Sequence, residues 1–327
     1  MSTKLFSEGD VQRRLDFDHA LELAEQTYRE LAQGRVVNPP KLGMHMGDDG
    51  EWPDLNAFAI DMPAYVDWLD VAGVKWAVAN WDLETGTPIS SLILLFDLEE
   101  GRFKSILEGM YITGVRTAIQ SVVGLQHLRP SRPAEIGVLG AGYQARFQLQ
   151  VIDELLDVDT FYLYDIDDTA SRSLATSLDP RTDAEIVVCD TPAATAQSDA
   201  ILTVTNSKTP VLSDDALDGS ELIIALGTYQ ELSDRTILDA DHVIVDHVEQ
   251  CFQRGALSDL VDRNELTRSD VDATIGDVID GGYDGRIQGD DRVVFTPIGL
   301  GSIDVAIAEH VYRNGTEDVI GEEFNFV

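Results

Sequence analysis

From residue 135 onward the chain repeats one rhythm, a short and nearly unbroken apolar run followed by a polar or helix-period stretch. The runs are EIGVLG, TFYLYD, AEIVVC, AILTVT, ELIIALG and HVIVDH. A strand that is apolar at every position has no face for water and must be covered on both sides. Six such strands, with helical patterns between at least the first three, predict an α/β fold with a doubly wound parallel sheet of the Rossmann type.

The first 128 residues read differently. DHALELAEQTYRELAQG, 18–34, places Leu21, Ala24, Tyr28 and Leu31 on one helical face and ends at Gly34. Strand patterns follow at 35–46, 72–80, 89–97 and 103–108, separated by the turn clusters GDDG and LETGTP. TGVRTAIQSVVGLQHL, 113–128, predicts a second long helix, stopped by the linker-like RPSRP at 129–133. Near residue 295 the strand rhythm gives way to TPIGLGSIDVAIAEHVYR, a loop and then a helix. The expected division is an α+β domain over 1–128, rejoined by 296–327, and a Rossmann domain over 129–295.

Composition excludes several functions. The longest apolar run, SLILLF, is far short of the roughly 18 residues that cross a bilayer, and the N-terminus lacks the apolar stretch of a secretory signal. A cytoplasmic protein is expected. Fifty-nine acidic residues against 23 basic ones give a net charge of -36, which repels nucleic acid and anionic membranes alike. The carboxylates are scattered, as suits a halophilic cytoplasm where salt screens self-repulsion; an acidic partner-binding surface is the other reading. Cys189 and Cys251 are too few for a disulfide framework or a metal knuckle, and Cys189 is expected in the core. The six histidines show no metal-ligand spacing, so no metal is expected.

Within the first apolar run, Gly140-Ala141-Gly142-Tyr143-Gln144-Ala145 fits G-x-G-x-x-G/A between a strand and a helix. Gly140 permits the sharp turn, Gly142 lets backbone N–H groups approach a pyrophosphate, and Ala145 keeps the helix close to the sheet. Asp165 ends the next run, twenty residues beyond Ala145, where an acid bonds the adenine ribose hydroxyls and repels a 2′-phosphate. NAD is therefore expected over NADP, although Arg172 offers a 2′-phosphate a partner. A solvated strand end is the plainer reading of Asp165.

Only five lysines occur in the chain, yet Lys41 in NPPKLGMHM and Lys75 in AGVKWAVAN lie in strand-like stretches, and Arg116 lies in ITGVRTAIQ. Cations in such places suit a carboxylate ligand: Arg grips it through two N–H groups, and a desolvated Lys is an acid or base of lowered pKa. In a strand Lys41, Gly43 and His45 point to one side, which makes His45 a second candidate, weighed against a solvent-facing histidine.

The blocks PPKL, MPAY, GVKW, SLILLFDLEEG, ITGVRTA, GVLGAGYQA, TVTNSKTPVL, QELSD, VDHVEQCFQRGAL and GLGSIDVAIAEHVY stand in this order over nearly the whole length. In that order they resemble the ornithine cyclodeaminase/μ-crystallin family, which contains an archaeal alanine dehydrogenase and imino-acid reductases. The resemblance implies an N-terminal substrate and dimerisation domain, a central NAD domain and a homodimer. It implies that Lys41, Lys75 and Arg116 face the substrate, with Arg116 and Lys41 on its α-carboxylate; the catalytic role expected of Lys75 is to polarise the α-substituent and relay its proton. Thr117, the turn Thr205-Asn206-Ser207 and Gly299 would lie near the cofactor, and Asp304 in the loop-helix on the nicotinamide side.

One departure bears on the activity. Cyclodeaminases carry an aspartate in a G-x-D-x-P-G-K-x-E-L segment, and this chain reads Gly227-Thr228-Tyr229-Gln230-Glu231-Leu232 instead. Cyclisation of ornithine thus loses its evident base. What remains is hydride transfer at the α-carbon of a small amino, imino or keto acid, with a cyclodeaminase and a non-catalytic nucleotide-binding protein as alternatives. NWDLETG, MHM and GTYQEL are expected to line the pocket.

Overall fold

The computed structural model describes residues 2–47, 52, 55–83, 88–129, 131–217, 222–283, 285, 287–289, 291–317 and 320–326. The chain forms two compact units, one of Met1–Arg116 with Leu300–Val327, the other of Thr117–Gly299.

The first unit opens with β1 (Thr3–Phe6), α1 (Glu8–Gln12) and α2 (Phe17–Ala32). Asp16 caps α2 by accepting from the His19 N–H at 2.9 Å. The helix buries Ala20, Leu23, Ala24, Thr27 and Tyr28. The buried stripe is therefore turned slightly from the expected one, leaving Leu21 and Leu31 at its margins. The expected single strand over 35–46 is two, β2 (Val36–Val37) and β3 (Leu42–Met46), interrupted by Asn38-Pro39-Pro40-Lys41. Then come β4 (Ala57–Val66), β5 (Val71–Asn80), β6 (Ile89–Asp97), β7 (Arg102–Glu108) and α3 (Met110–His127). The clusters GDDG and LETGTP fall mostly outside the described residues, as does part of NWDLETG.

The sequence pattern did not announce β4, because its ten residues do not alternate and contain Pro63. Val37 pairs with Tyr65 and Leu42 with Asp61, so Pro63 lies opposite the gap between β2 and β3. That gap is where a strand tolerates a residue without an N–H.

The second unit runs β8 (Glu135–Leu139), α4 (Tyr143–Leu155), β9 (Thr160–Tyr164), α5 (Asp168–Leu178), β10 (Glu185–Val188), α6 (Pro192–Thr195), β11 (Ala200–Thr203) and β12 (Leu222–Ala225). It continues with α7 (Asp234–Leu238), β13 (His242–Val245), α8 (Val248–Gln253), α9 (Ser258–Asp262), β14 (Ala273–Thr274), α10 (Ile275–Asp280) and β15 (Val293–Thr296). The strand order is β10-β9-β8-β11-β12-β15-β13-β14, with every pairing parallel. All six expected strands are present, and β15 inserts between β12 and β13. The order reverses between β8 and β11, the topological switch point of such sheets. β11, β12 and β15 are buried at every residue, as doubly covered strands must be. At the edge, β10 is only partly covered, and Cys189 just beyond it is half-buried rather than a core residue; Cys251 is the buried one.

The chain then returns to the first unit as α11 (Gly301–Glu317) and β16 (Glu322–Phe324), which pairs antiparallel with β1. α11 packs on β4, β5, β6 and α2. The approach is close: a Cβ on Gly301 would stand 2.6 Å from the Met62 carbonyl oxygen, and one on Gly73 2.8 Å from a Val305 methyl. Only one face of this sheet is covered by a helix among the described elements. On the other, Val74, Leu94 and Ile106 form a cross-strand row beside Trp76 and Leu92. The division between the units falls inside α3, between Arg116 and Thr117, rather than at the end of that helix. No helix of the described residues is long and apolar enough to cross a membrane.

Candidate active site

Lys75 occupies the middle of β5, directly opposite Met62 on β4 and Ile93 on β6. All three are buried on the face that α11 covers. Its ammonium donates to Asp304 Oδ1 at 2.9 Å and to Thr113 Oγ1 at 3.2 Å. Asp304 sits in the first turn of α11, where a negative charge suits the helix dipole. Thr113 and Arg116 are three residues apart on α3 and share a helical face. Arg116 Nε donates to the same Asp304 Oδ1 at 3.3 Å. The N-terminus of α3 is fixed by Glu108, whose carboxylate accepts from the Met110 and Tyr111 N–H groups at 2.6 and 3.1 Å.

Lys75, Arg116 and Asp304 are 2%, 6% and 0% exposed, and together they carry two positive charges against one negative. Burial pushes Lys75 down from 10.5 to about 8; the Asp304 carboxylate resists the fall and Arg116 adds to it. Two buried cations meeting on one carboxylate make a site suited to an incoming anion. Asp304 Oδ2 is buried with no hydrogen-bond partner. Arg116, expected on a substrate carboxylate, thus meets an internal carboxylate through its Nε.

The other two sequence candidates lie farther out on the same sheet. Leu42 pairs with Asp61, so Lys41 stands one residue before the paired stretch, level with Met62. That is two strand spacings from Lys75, roughly 10 Å. His45 pairs with Phe58, which pairs with Ala79, four residues from Lys75. It shares the face but lies about 13 Å along the strands. It is exposed, with its ring 6.4 Å from that of Phe58. The structure does not bring His45 to the cation cluster, because β3 pairs only at the far end of β4.

In the second unit Gly140, Asp165, Thr205 and Gly299 follow the carboxyl ends of parallel strands. Gly140 has φ +110°, and a Cβ there would stand 2.5 Å from the Val204 carbonyl oxygen. The turn therefore needs glycine. Gly142 is the N-cap of α4, without a side-chain cap, and a Cβ on it would meet nothing within 4 Å. Open space over an uncapped helix N-terminus can admit an anion. Ala145 is fully buried. Tyr143 is half-exposed with its ring 5.0 Å from Phe147, and the Gln144 Oε1 is buried without a partner.

Asp165 Oδ2 accepts from the Ala141 N–H at 2.7 Å, and Oδ1 from the Asp167 N–H at 2.9 Å. Its carboxylate is thus pinned to the glycine loop rather than loose in solvent. Arg172 Nε donates to Asp168 at 2.8 Å, so its charge is already engaged. Ile166, beside Asp165, is 94% exposed.

Thr205 and Ser207 follow β11, with the Thr205 hydroxyl accepting from the Ser207 N–H at 3.0 Å across Asn206. Gly299, at φ +90°, donates its N–H to the buried Asp246 at 2.5 Å. Asp246 also accepts from Gln120 at 3.2 Å and from the Cys251 thiol at 3.3 Å. Burial and that carboxylate push the Cys251 thiol well above its ordinary range. Thr117 is buried on α3. Among the described residues no group of three or more His, Cys, Asp or Glu is arranged to hold a metal ion.

The profile of the ornithine cyclodeaminase/mu-crystallin family matches residues 1–318. The alanine dehydrogenase of Archaeoglobus fulgidus is 29% identical over 333 residues, covering 100% of this chain and 99% of that protein. The Δ1-pyrroline-2-carboxylate reductase of Bacillus cereus is 24% identical, covering 98% of this chain and 99% of that one. Among solved structures, an archaeal alanine dehydrogenase dimer with bound NAD superposes with a TM-score of 0.90 at 26% identity, over 100% of both chains.

Proposed function

Because the chain belongs to the ornithine cyclodeaminase/mu-crystallin family, we propose that it is an NAD-dependent oxidoreductase working at the α-carbon of a small amino, imino or keto acid. The observation that carries the substrate side of this reading is the buried Lys75–Arg116–Asp304 cluster, in which two cations meet on one carboxylate oxygen. The substrate carboxylate is held by Arg116, with Lys41 at the rim. Asp304 keeps both cations in place. Lys75, with its pKa lowered to about 8, gives up or takes the proton at the α-substituent near neutral pH.

Gly140, Gly142, Tyr143, Gln144 and Ala145 would hold the pyrophosphate, Asp165 the adenine ribose, and Thr117, Thr205, Asn206, Ser207 and Gly299 the nicotinamide half. Bound NAD supplies the hydride chemistry at C4 of its ring. The engaged Arg172 and the carboxylates of Asp165, Asp167 and Asp168 favour NAD over NADP. A panel of alanine, pyruvate with ammonia, and pyrroline-2-carboxylate, followed at 340 nm in molar KCl, tests the reaction. Absence of any turnover despite NADH binding would contradict it.

Cyclodeaminase action is the weaker reading. The nearest acid in the divergent segment, Glu231, already accepts from Thr203, Thr205 and Gly227 and is not a base waiting for a substrate amine. The apolar outer face of the first unit, with Trp76 48% and Leu92 46% exposed, favours a homodimer built on that sheet. The scattered acidic surface favours a salt-rich cytoplasm.

A further inference from the structure

The segment in which this chain departs from the cyclodeaminase pattern has a structural use of its own. Glu231 is fully buried, and each of its oxygens takes two donors. Oε1 accepts from the Thr205 N–H and the Thr205 hydroxyl, both at 2.6 Å. Oε2 accepts from the Gly227 N–H at 2.6 Å and the Thr203 hydroxyl at 2.9 Å. The Glu231 backbone is held as well, its carbonyl accepting from the Val211 N–H at 2.9 Å. Any side chain on Gly227 would collide with the Glu231 carboxylate. One carboxylate thus ties the ends of β11 and β12 together at the turn Thr205-Asn206-Ser207. The same end of β11 touches the glycine loop, since the Val204 carbonyl oxygen occupies the space of a Gly140 side chain.

We infer that Glu231 is a positioning residue for the nucleotide crevice, fixing the Thr205–Ser207 turn at its working distance from the glycine loop. The inference rests on the reading of the second unit as the NAD-binding one. A carboxylate is required because two backbone N–H groups point at different oxygens. An amide has a single acceptor oxygen, so glutamine would set its NH2 against one of those N–H groups. The turn would shift to escape that clash, and the cofactor would lose the wall it lies on. Glu231 itself touches neither cofactor nor substrate in this assignment.

The experiment titrates NADH by fluorescence into the full-length parent and Glu231→Gln, well below both melting temperatures, and measures KM for the carbon substrate at saturating NADH. The expected result is an NADH dissociation constant raised about tenfold or more, the effect of one spoiled hydrogen bond to a charged group. The carbon-substrate KM should stay within about threefold, since the cation cluster belongs to the other unit. Equal NADH affinity in parent and variant, with only the melting temperature lowered, would overturn the inference and leave the NAD reading intact. A parent that fails to bind NADH would overturn both.

If Glu231→Gln does not fold, Thr205→Val and Thr203→Val carry the same test. Each deletes one hydroxyl donor to this carboxylate, but only Thr205 belongs to the turn. Thr205→Val should weaken NADH binding, Thr205→Ser should restore it, and Thr203→Val should leave it within about twofold. Equal losses in the two valine variants would contradict a role in placing the turn.

Discussion

Replacing Lys75 by methionine removes a charge and keeps most of the volume, and the structure dictates an unusual result. The ammonium is buried beside Arg116, and among the described residues Asp304 is its ion-pair partner. Its pKa falls from 10.5 to about 8, a shift of two to three units. At about 1.4 kcal/mol per unit, the buried charge costs roughly 3 kcal/mol relative to the unfolded chain. The sign follows from proton counting. Between about pH 8 and 10.5 the unfolded chain holds a proton that the folded one has released, so stability rises with pH across that window. Below pH 8 the whole penalty stands, and above 10.5 it has vanished.

Lys75→Met has no such penalty, and it leaves Asp304 and Arg116 as a balanced pair. Urea unfolding in constant molar salt should find it within about 1 kcal/mol of the parent at pH 7.5, or more stable. The parent should then gain about 2–3 kcal/mol relative to the variant by pH 10. Turnover should be lost while NADH binding persists, the trade expected where a site stores an unfavourable charge. A variant weaker than the parent by more than about 3 kcal/mol at pH 7.5, or a difference flat with pH, would refute the reasoning.

Gly142→Ala should leave the urea midpoint nearly unchanged, since the new methyl meets no protein atom, yet raise the NADH dissociation constant about tenfold by filling the pyrophosphate space. Asp165→Ser should weaken NADH binding and narrow the preference over NADPH, as steady-state KM values for the two cofactors will report; it should also cost some stability, because the Ala141 N–H loses its acceptor. Trp76→Glu places a charge on the exposed apolar face and should shift the protein toward monomer in sedimentation velocity. With a net charge of -36, the melting temperature should climb steeply between low and molar KCl, as self-repulsion is screened.

The parallel sheet was legible because strands buried on both faces have no choice but to be apolar throughout, and the glycine loop because its geometry admits few residues. Lys75 stood out for the same reason in reverse, as one of five lysines and set in a strand. Its counterion did not stand out. Asp304 is 229 residues away in the chain, and its only local sign is an acid between apolar neighbours in GSIDVAIA. β4 was hidden by Pro63, whose tolerance depends on the gap between two partner strands and not on its own neighbours. His45 was judged by strand alternation, which gave the correct face but could not give the distance along it. Cys189 looked like a core residue because it ends an apolar run, but β10 is an edge strand. Glu231 gives no sign of its role in sequence, because three of its four donors, on Thr203 and Thr205, lie 26 to 28 residues away and meet it only in the fold.

The account is tested most directly by following the transferred hydrogen. NADH deuterated at C4 is incubated with the protein and pyrroline-2-carboxylate, or with pyruvate and ammonia, and the amino-acid product is examined by mass spectrometry. The account predicts one deuterium on the α-carbon, carried from one face of the nicotinamide, and none with Lys75→Met. Product without deuterium, or tight NADH binding with no product from either substrate, would contradict it.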